Sequence, residues 1–337
     1  MNAEHVFVQT NETDENRVVA FRREGNGSLT MRAGVATGGR GDGVAHLTSQ
    51  GSVVLTSDRE RLLVTNVGSN DISVLSVAPT PRVLAITPSE GTAPKSVAEH
   101  EGRVYVLNSG DGSLVGFTLS AAELLPLEGS RRELGAGADP AQVGFAPDGS
   151  ALVVTDRASN AIVVFPVGAD GRLGDPTTTM SAGPTPYGFA FAAGRTLVVT
   201  EAFGAAKGKA AASSYRIHGA VAEAVTESVG NGRSEICWAV ASADGRHVFT
   251  TNFADGAVSR YSVASDGSLE LVDAVAGTAV DGEPGLRDEG LSGDGRFLYA
   301  LDADGGRIFA WRVEDGALEP VGSWNGLPAT VAGLAAS

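Results

Sequence analysis

Short apolar stretches recur along this chain, each alternating apolar with polar or small residues and each broken by turn residues rather than extended into a helical spacing. Six of them share one phrase: an apolar strand, a turn, a second apolar strand ending in Asn, Asp or Glu, and then a third strand. The copies contain "VLTSDRERLLVTNVGSNDISVLSV" from Val54, "SVAEHEGRVYVLNSGDGSLVGFTL" from Ser96, "VGFAPDGSALVVTDRASNAIVVFPV" from Val143, "FAFAAGRTLVVTEAFG" from Phe189, "VASADGRHVFTTNFADGAVSRYSV" from Val240 and "GLSGDGRFLYALDADGGRIFAWRV" from Gly290. They repeat about every 45 to 50 residues, the span of one propeller blade. Asp148-Gly149, Asp244-Gly245 and Asp294-Gly295 supply the positive φ that a tight hairpin needs. Each copy therefore predicts a twisted antiparallel meander. One such sheet cannot bury both faces alone, but sheets stacked radially cover one another.

The termini raise the count to seven. "HVFVQTNETDENRVVAFRR" at His5 to Arg23 holds a second and third strand without a first, while "LPATVAGLAAS" at the C-terminus resembles a lone first strand. The expectation is an all-β, seven-bladed β-propeller with four-stranded antiparallel blades, a single domain over 1–337. Its blades fall at 1–41 plus 328–337, 42–91, 92–137, 138–183, 184–232, 233–282 and 283–327. Ala329 to Leu334 is expected to pair with the strand around Val6 to Gln9 and close the ring. Six blades with ragged ends, or a β-sandwich, are the competing architectures.

Composition narrows the partners. With 45 Gly and 42% hydrophobic residues among 337, the chain can bury a large core between many turns. A net charge of -15 argues against nucleic acid and anionic membrane, both of which need clustered Lys and Arg. The nearest approach to a cluster, Lys207 and Lys209 in "GAAKGKAAAS", reads as a solvated loop. Cys237 is the only cysteine, which removes an intramolecular disulfide and any Cys-based zinc site. The start shows no basic and apolar leader, and no window approaches the ~18 apolar residues of a membrane span. The chain as given reads as cytoplasmic, although an exported form with its signal removed would look the same. Its expected partner is a small cyclic molecule; the oligomeric state is open, with a monomer as the expectation.

Side chains at the start of each inner strand should crowd one mouth of the central channel: Lys95, Ala141 and Gln142, Tyr187, Cys237 and Trp238, Arg287 and Asp288, and Ser49 and Gln50. The second strands end at Asn66, Asn108, Asp156, Glu201, Asn252 and Asp302, where turn capping is the plain explanation for most. Glu201 differs, because Glu is a poor turn residue and here precedes the irregular insert "AFGAAKGKAAASS", either a lid or a surface loop. The five histidines, His5, His46, His100, His218 and His247, have no zinc spacing and lie outside this mouth frame. "TGGRGDGV" at Thr37 to Val44 is a weak phosphate cradle, since it joins no strand to a helix.

With the blades aligned, the chain resembles the lactonase family of seven-bladed propellers, which includes 6-phosphogluconolactonases and carboxymuconate-lactonising enzymes. The resemblance is carried by "PAQVGFAPDGSALVVTDRASNAIVVFPV" at Pro140 to Val167, "GPTPYGFAF" at Gly183 to Phe191 with "LVVTEAFG" at Leu197 to Gly204, and "SADGRHVFTTN" at Ser242 to Asn252. It implies a catalytic carboxyl at Glu201. The family's His falls on Ala141 and its Arg on Tyr187, so the imidazole base and the guanidinium clamp are both replaced.

Two functions follow as expectations. In the first, a lactonase-like enzyme hydrolyses or isomerises a small cyclic ester or carbonyl compound with no metal and no organic cofactor. Glu201, Tyr187 and Arg157 are then its catalytic residues, while Gln142, Asp156, Lys95, Trp238, Asp288 and Phe203 bind substrate. The second is a non-catalytic propeller that uses the same face to bind a small ligand or a protein partner.

Overall fold

The computed structural model describes residues 4–44, 47–77, 80–279 and 283–337. Among these, the strands form seven antiparallel sheets, each beginning with an inner strand and continuing outward in chain order. The inner strands of blades 2 to 7 are Val53–Leu55, Pro94–His100, Pro140–Phe145, Pro186–Phe191, Ile236–Ala241 and Leu286–Leu291. Each expected Asp-Gly turn is present, with Gly149, Gly245 and Gly295 at φ 67°, 67° and 70°. Pro94, Pro140 and Pro186 open their strands rather than precede them, as an inner edge with no ladder partner permits.

Blade 1 closes the ring. Its inner strand is Ala332–Ala336, paired antiparallel with His5–Gln9 as Val6 with Ala336, Phe7 with Ala335, Val8 with Leu334 and Gln9 with Ala332. The pairing thus begins three residues later than Ala329. Pro328 and a turn in which the Val331 N–H donates to its carbonyl hold the preceding residues out of the ladder, while the Thr330 hydroxyl still donates to Thr10 O at 2.6 Å.

The core lies between blades. Val6, Val8 and Phe21 of blade 1 pack on Phe297, Tyr299 and Leu301 of blade 7, and comparable clusters fill the other interfaces. A polar link accompanies the apolar packing at the end of the second strands. Asn66 of blade 2 accepts from Asn16 and Thr37 of blade 1, both at 2.8 Å, and donates to Ser73 of its own third strand at 2.7 Å. Asn108 and Asn252 repeat the arrangement, donating to Ser113 and Ser259 and bonding Ser89 O and Asn231 of the preceding connection. These Asn side chains are buried ties between neighbouring blades, and Asn66 and Asn252 also bond across their own turns, to Asp71 at 2.6 Å and to Ala257 O at 3.1 Å.

Candidate functional site in the channel

Glu201 occupies the same structural position as those asparagines. Its side chain is fully buried; Oε1 accepts from the Gly183 N–H at 2.8 Å and from the Ser213 hydroxyl, and Oε2 from the Ser228 hydroxyl at 2.7 Å. Ser181 adds a longer bond of 3.4 Å. The carboxyl is directed into the joint between blades 4 and 5, where it is held by groups of both blades. Asp156 is a local cap: it accepts from the Asp139 and Ala158 N–H groups and from the Ser159 hydroxyl. The insert after Glu201 is short and tied down. The Ala202 and Phe203 N–H groups donate to Thr185 O and Pro184 O, Phe203–Ala205 form a 3-10 turn, and the Gly208 N–H donates to the Ser234 hydroxyl. Phe203 and Lys95 are partly buried, and neither lines the channel cavity described below.

Four of the other expected residues do converge. Tyr187 and Trp238 are buried with ring centroids 5.6 Å apart, and the Arg157 guanidinium lies 4.8 Å from the Tyr187 ring centre while paired with Asp139. Burial, reinforced by the neighbouring Cys237, holds the Tyr187 phenol well above its ordinary range, and burial pushes the Cys237 thiol up to about 12. Neither is a ready nucleophile at neutral pH. Arg287 stacks on Phe253 at 3.9 Å and pairs with Asp304 at 3.4 Å. Asp288 completes the group: its carboxyl accepts from the Gly333 N–H at 3.0 Å, and the Trp238 side chain favours its ionised form. Burial raises the Asp288 pKa to about 7 against the pull of that N–H, of Arg287 and of Trp238.

Ser49 and Gln50, expected at the channel mouth, reach across the channel itself. The Gln50 carboxamide crosses from blade 2 to blade 6, donating to Ala239 O at 2.8 Å and accepting from Ala239 N at 3.1 Å. The Ser49 hydroxyl and Gln50 N–H both donate to Ala141 O of blade 4. Gln142 does the same between neighbours, donating to Phe189 O at 3.1 Å and accepting from Phe189 N at 2.6 Å. In blades 5 and 6 the inner strand shifts register before Phe189 and before Ala239, which turns those peptide groups toward the channel. A Gln side chain carries a peptide-like donor and acceptor and satisfies them. Gly188 is required here, since a Cβ would lie 2.4 Å from both Gln50 Oε1 and Cys237 O.

Gln50 therefore divides the channel. On one side is the aromatic and guanidinium cluster. On the other is a cavity of about 410 Å³ with Gln50, Gln142, Asp288 and Glu289 among its polar walls, Val143 and Leu334 among its apolar ones, and His100 and Pro147 toward its open end. Asp288 belongs to both. A larger depression of 580 Å³ among Asp58, Arg59, Glu60, Arg61 and Arg82 shares no lining residue with this cavity, and within it Arg61 pairs with Asp58 at 2.9 Å.

His46 lies outside the described residues, as does position 282 at the expected junction of blades 6 and 7. Among the described residues no three His, Cys, Asp or Glu side chains are grouped to hold a metal. The amides of Thr37 to Val44 are used internally, for instance Gly41 N–H to Glu12 O and Gly43 N–H to Asn11 O, which leaves no cradle for a phosphate. Several residues of this cavity lay outside the expected frame, among them two titratable ones. His100 reaches the cavity from the far end of its strand, and Glu289 occupies a register where the other inner strands carry Val53, Val97, Val143, Phe189, Ala239 and Leu334. The signal for Glu289 was present in "LRDEGL", the one inner strand interrupted by three consecutive charged residues.

The model of the family described as lactonase, 7-bladed beta-propeller, matches residues 118–203 and 202–330. The chain belongs to that family. Solved structures agree on the architecture at low sequence identity. A periplasmic gluconolactonase of Pseudomonas aeruginosa is 17% identical with TM-score 0.74, over 98% of this chain and 99% of that one. A provisionally assigned 6-phosphogluconolactonase of Bacteroides fragilis is 18% identical with TM-score 0.74, over 99% and 98%. A Lactobacillus plantarum protein is 16% identical with TM-score 0.77 over the whole of both chains. No curated protein matches the sequence. At these identities the neighbours speak for the fold, and the chemistry of this lactonase-family propeller has to be argued from its own channel.

Proposed function

We propose that this protein hydrolyses a small cyclic ester inside its channel, with Asp288 as the general base. The observation that carries this reading is a buried carboxyl in the wall of an open cavity, shared with the Gln50 and Gln142 carboxamides, and burial raises its pKa to about 7, where a base is both available and effective at neutral pH. The carboxylate of Asp288 takes a proton from water as the water oxygen attacks the ester carbonyl. Gln50 and Gln142 each spend one carboxamide N–H on backbone, and each retains a second to stabilise the developing oxyanion. The Gly333 N–H holds Asp288 in place. Hydrolysis is favoured over isomerisation because the cavity opens to solvent. Sugar lactones are the first substrates to try, given the gluconolactonase and 6-phosphogluconolactonase names of the structural neighbours. This mechanism calls on no metal and no organic cofactor, and Glu201 holds the blades together.

The test is acid release from a lactone panel that includes gluconolactone and its 6-phosphate, corrected for spontaneous opening. The expected result is turnover whose kcat/KM rises with pH through an apparent pKa near 7. Asp288→Asn should lower it about 10²- to 10⁴-fold. Absence of turnover on every lactone, with ligand binding retained, would favour a non-catalytic propeller, and an active Asp288→Asn would remove the proposed base.

A further inference from the structure

Glu289 follows Asp288 in the same inner strand and is as deeply buried, at 6% exposure. Neither of its carboxyl oxygens has a hydrogen bond of ordinary geometry among the described residues, and the Thr251 N–H of blade 6 is the one group that favours its ionised form. The hydroxyls of Thr250 and Thr251 on that facing strand are also buried and unpaired. The propeller has no structural need for a carboxyl at this register. Apolar or small side chains fill it in the other six blades, and an unpaired buried polar group costs stability. What distinguishes the site is its place in the wall of the 410 Å³ cavity, beside Asp288.

We propose that Glu289 is the proton donor to the departing ring oxygen, working opposite Asp288 as base. This rests on the hydrolytic reading of the channel. Water loses its proton to the Asp288 carboxylate as its oxygen bonds to the ester carbonyl carbon, giving a tetrahedral oxyanion. When that oxyanion re-forms the carbonyl, the ring C–O bond breaks and its electron pair goes to the leaving oxygen, which takes the proton from the Glu289 carboxyl. The product is an open-chain hydroxy acid. The proton now on Asp288 then returns to the Glu289 carboxylate through water in the cavity, so the sum is lactone plus water to hydroxy acid. The environment suits this division: complete burial, with Asp288 as a like-charged neighbour, keeps Glu289 protonated at neutral pH, while Asp288 keeps two stabilising donors and Arg287 nearby and ionises more readily. Two adjacent carboxyls are thereby set apart as acid and base.

The test compares Glu289→Gln, Glu289→Val and Asp288→Asn on two kinds of lactone, one with an alcohol leaving group and one with a phenol, together with melting temperature. A general acid matters when the leaving oxygen is strongly basic and little when it is a phenoxide. Both Glu289 variants should therefore lose about 10²-fold or more on the aliphatic lactone and less than about threefold on the phenolic one. Asp288→Asn should lose activity on both. Glu289→Val, which installs the residue of blades 2 to 4, should melt no lower than the parent. Equal losses on the two lactones, or full activity with a lowered melting temperature, would overturn the assignment while leaving the hydrolytic reading intact. A parent protein that opens neither lactone overturns both.

Discussion

Replacing Glu201 separates a structural carboxyl from a catalytic one, and the structure sets the scale. In Glu201→Ala the Gly183 N–H and the Ser213 and Ser228 hydroxyls lose their acceptor inside the joint of blades 4 and 5. Each buried donor left unpaired costs about 1–3 kcal/mol, with hydroxyls at the low end because they can rotate. Ser213 still accepts from the Ser228 N–H at 2.7 Å, but its own hydroxyl hydrogen loses its acceptor. The expected total is about 3–5 kcal/mol. Unfolding entropy of about 2 cal/mol/K per residue makes 1 kcal/mol worth about 1.4 °C in a 337-residue domain, so the melting temperature should fall by about 4–7 °C. Glu201→Gln keeps one acceptor oxygen and lets its NH2 donate to Ser228, so it should lose only about 1–2 kcal/mol. Calorimetry and initial rates on one preparation supply both quantities. The prediction is a lowered Tm with unchanged turnover per folded molecule. A Glu201→Gln protein that melts like the parent and loses 100-fold or more in kcat would refute this placement and restore Glu201 as the base.

Three further outcomes follow. Deleting 329–337 removes the inner strand of blade 1 and bares the inner edge of His5–Gln9, so the ring should lose its cooperative melt; an unchanged Tm would contradict closure by this pairing. Asp288 binds its proton more tightly folded than unfolded, with a pKa of about 7 against 3.8, so its own contribution to stability should fall by at most about 4 kcal/mol as pH rises from about 4 to 7, with buried Glu289 adding a loss of the same sign. Asp288→Asn should flatten that slope and melt higher than the parent at pH 8, and identical pH profiles of Tm would refute the shift. The Cys237 thiol, buried and pushed up to about 12, should resist a thiol reagent until the chain unfolds, and rapid labelling of native protein would show an open cluster instead.

The architecture was legible because it repeats: strand alternation, Asp-Gly turns and the shared polar strand end all recur with one period, and the two partial copies at the termini complete the ring. The site was legible only in part. Tyr187, Trp238 and Asp288 share a strand-start frame, and the structure gathers them with Arg157 as that frame suggests. The direction of Glu201 was not readable, because it depends on the neighbouring blade, whose Gly183 leaves room for the carboxyl; a Cβ there would lie 2.3 Å from Glu201 Oε2. The reach of Gln50 was hidden for a related reason. Its partner Ala239 is 189 residues away and becomes a neighbour only when the ring closes. Glu289 was present as a charge in "LRDEGL", but the apolar register it interrupts emerges only from the strand pairing.

The claim at the centre of this account is that substrate sits in the cavity walled by Asp288, Glu289, Gln50 and Gln142, and a crystal structure with an unreactive lactam analogue of a turned-over lactone tests it most directly. The predicted result is the lactam ring in that cavity, its carbonyl oxygen facing the free carboxamide N–H groups and its carbonyl carbon within one water of the Asp288 carboxyl. A lactam bound instead against Tyr187 and Arg157 on the far side of Gln50, or in the joint beside Glu201, would contradict it.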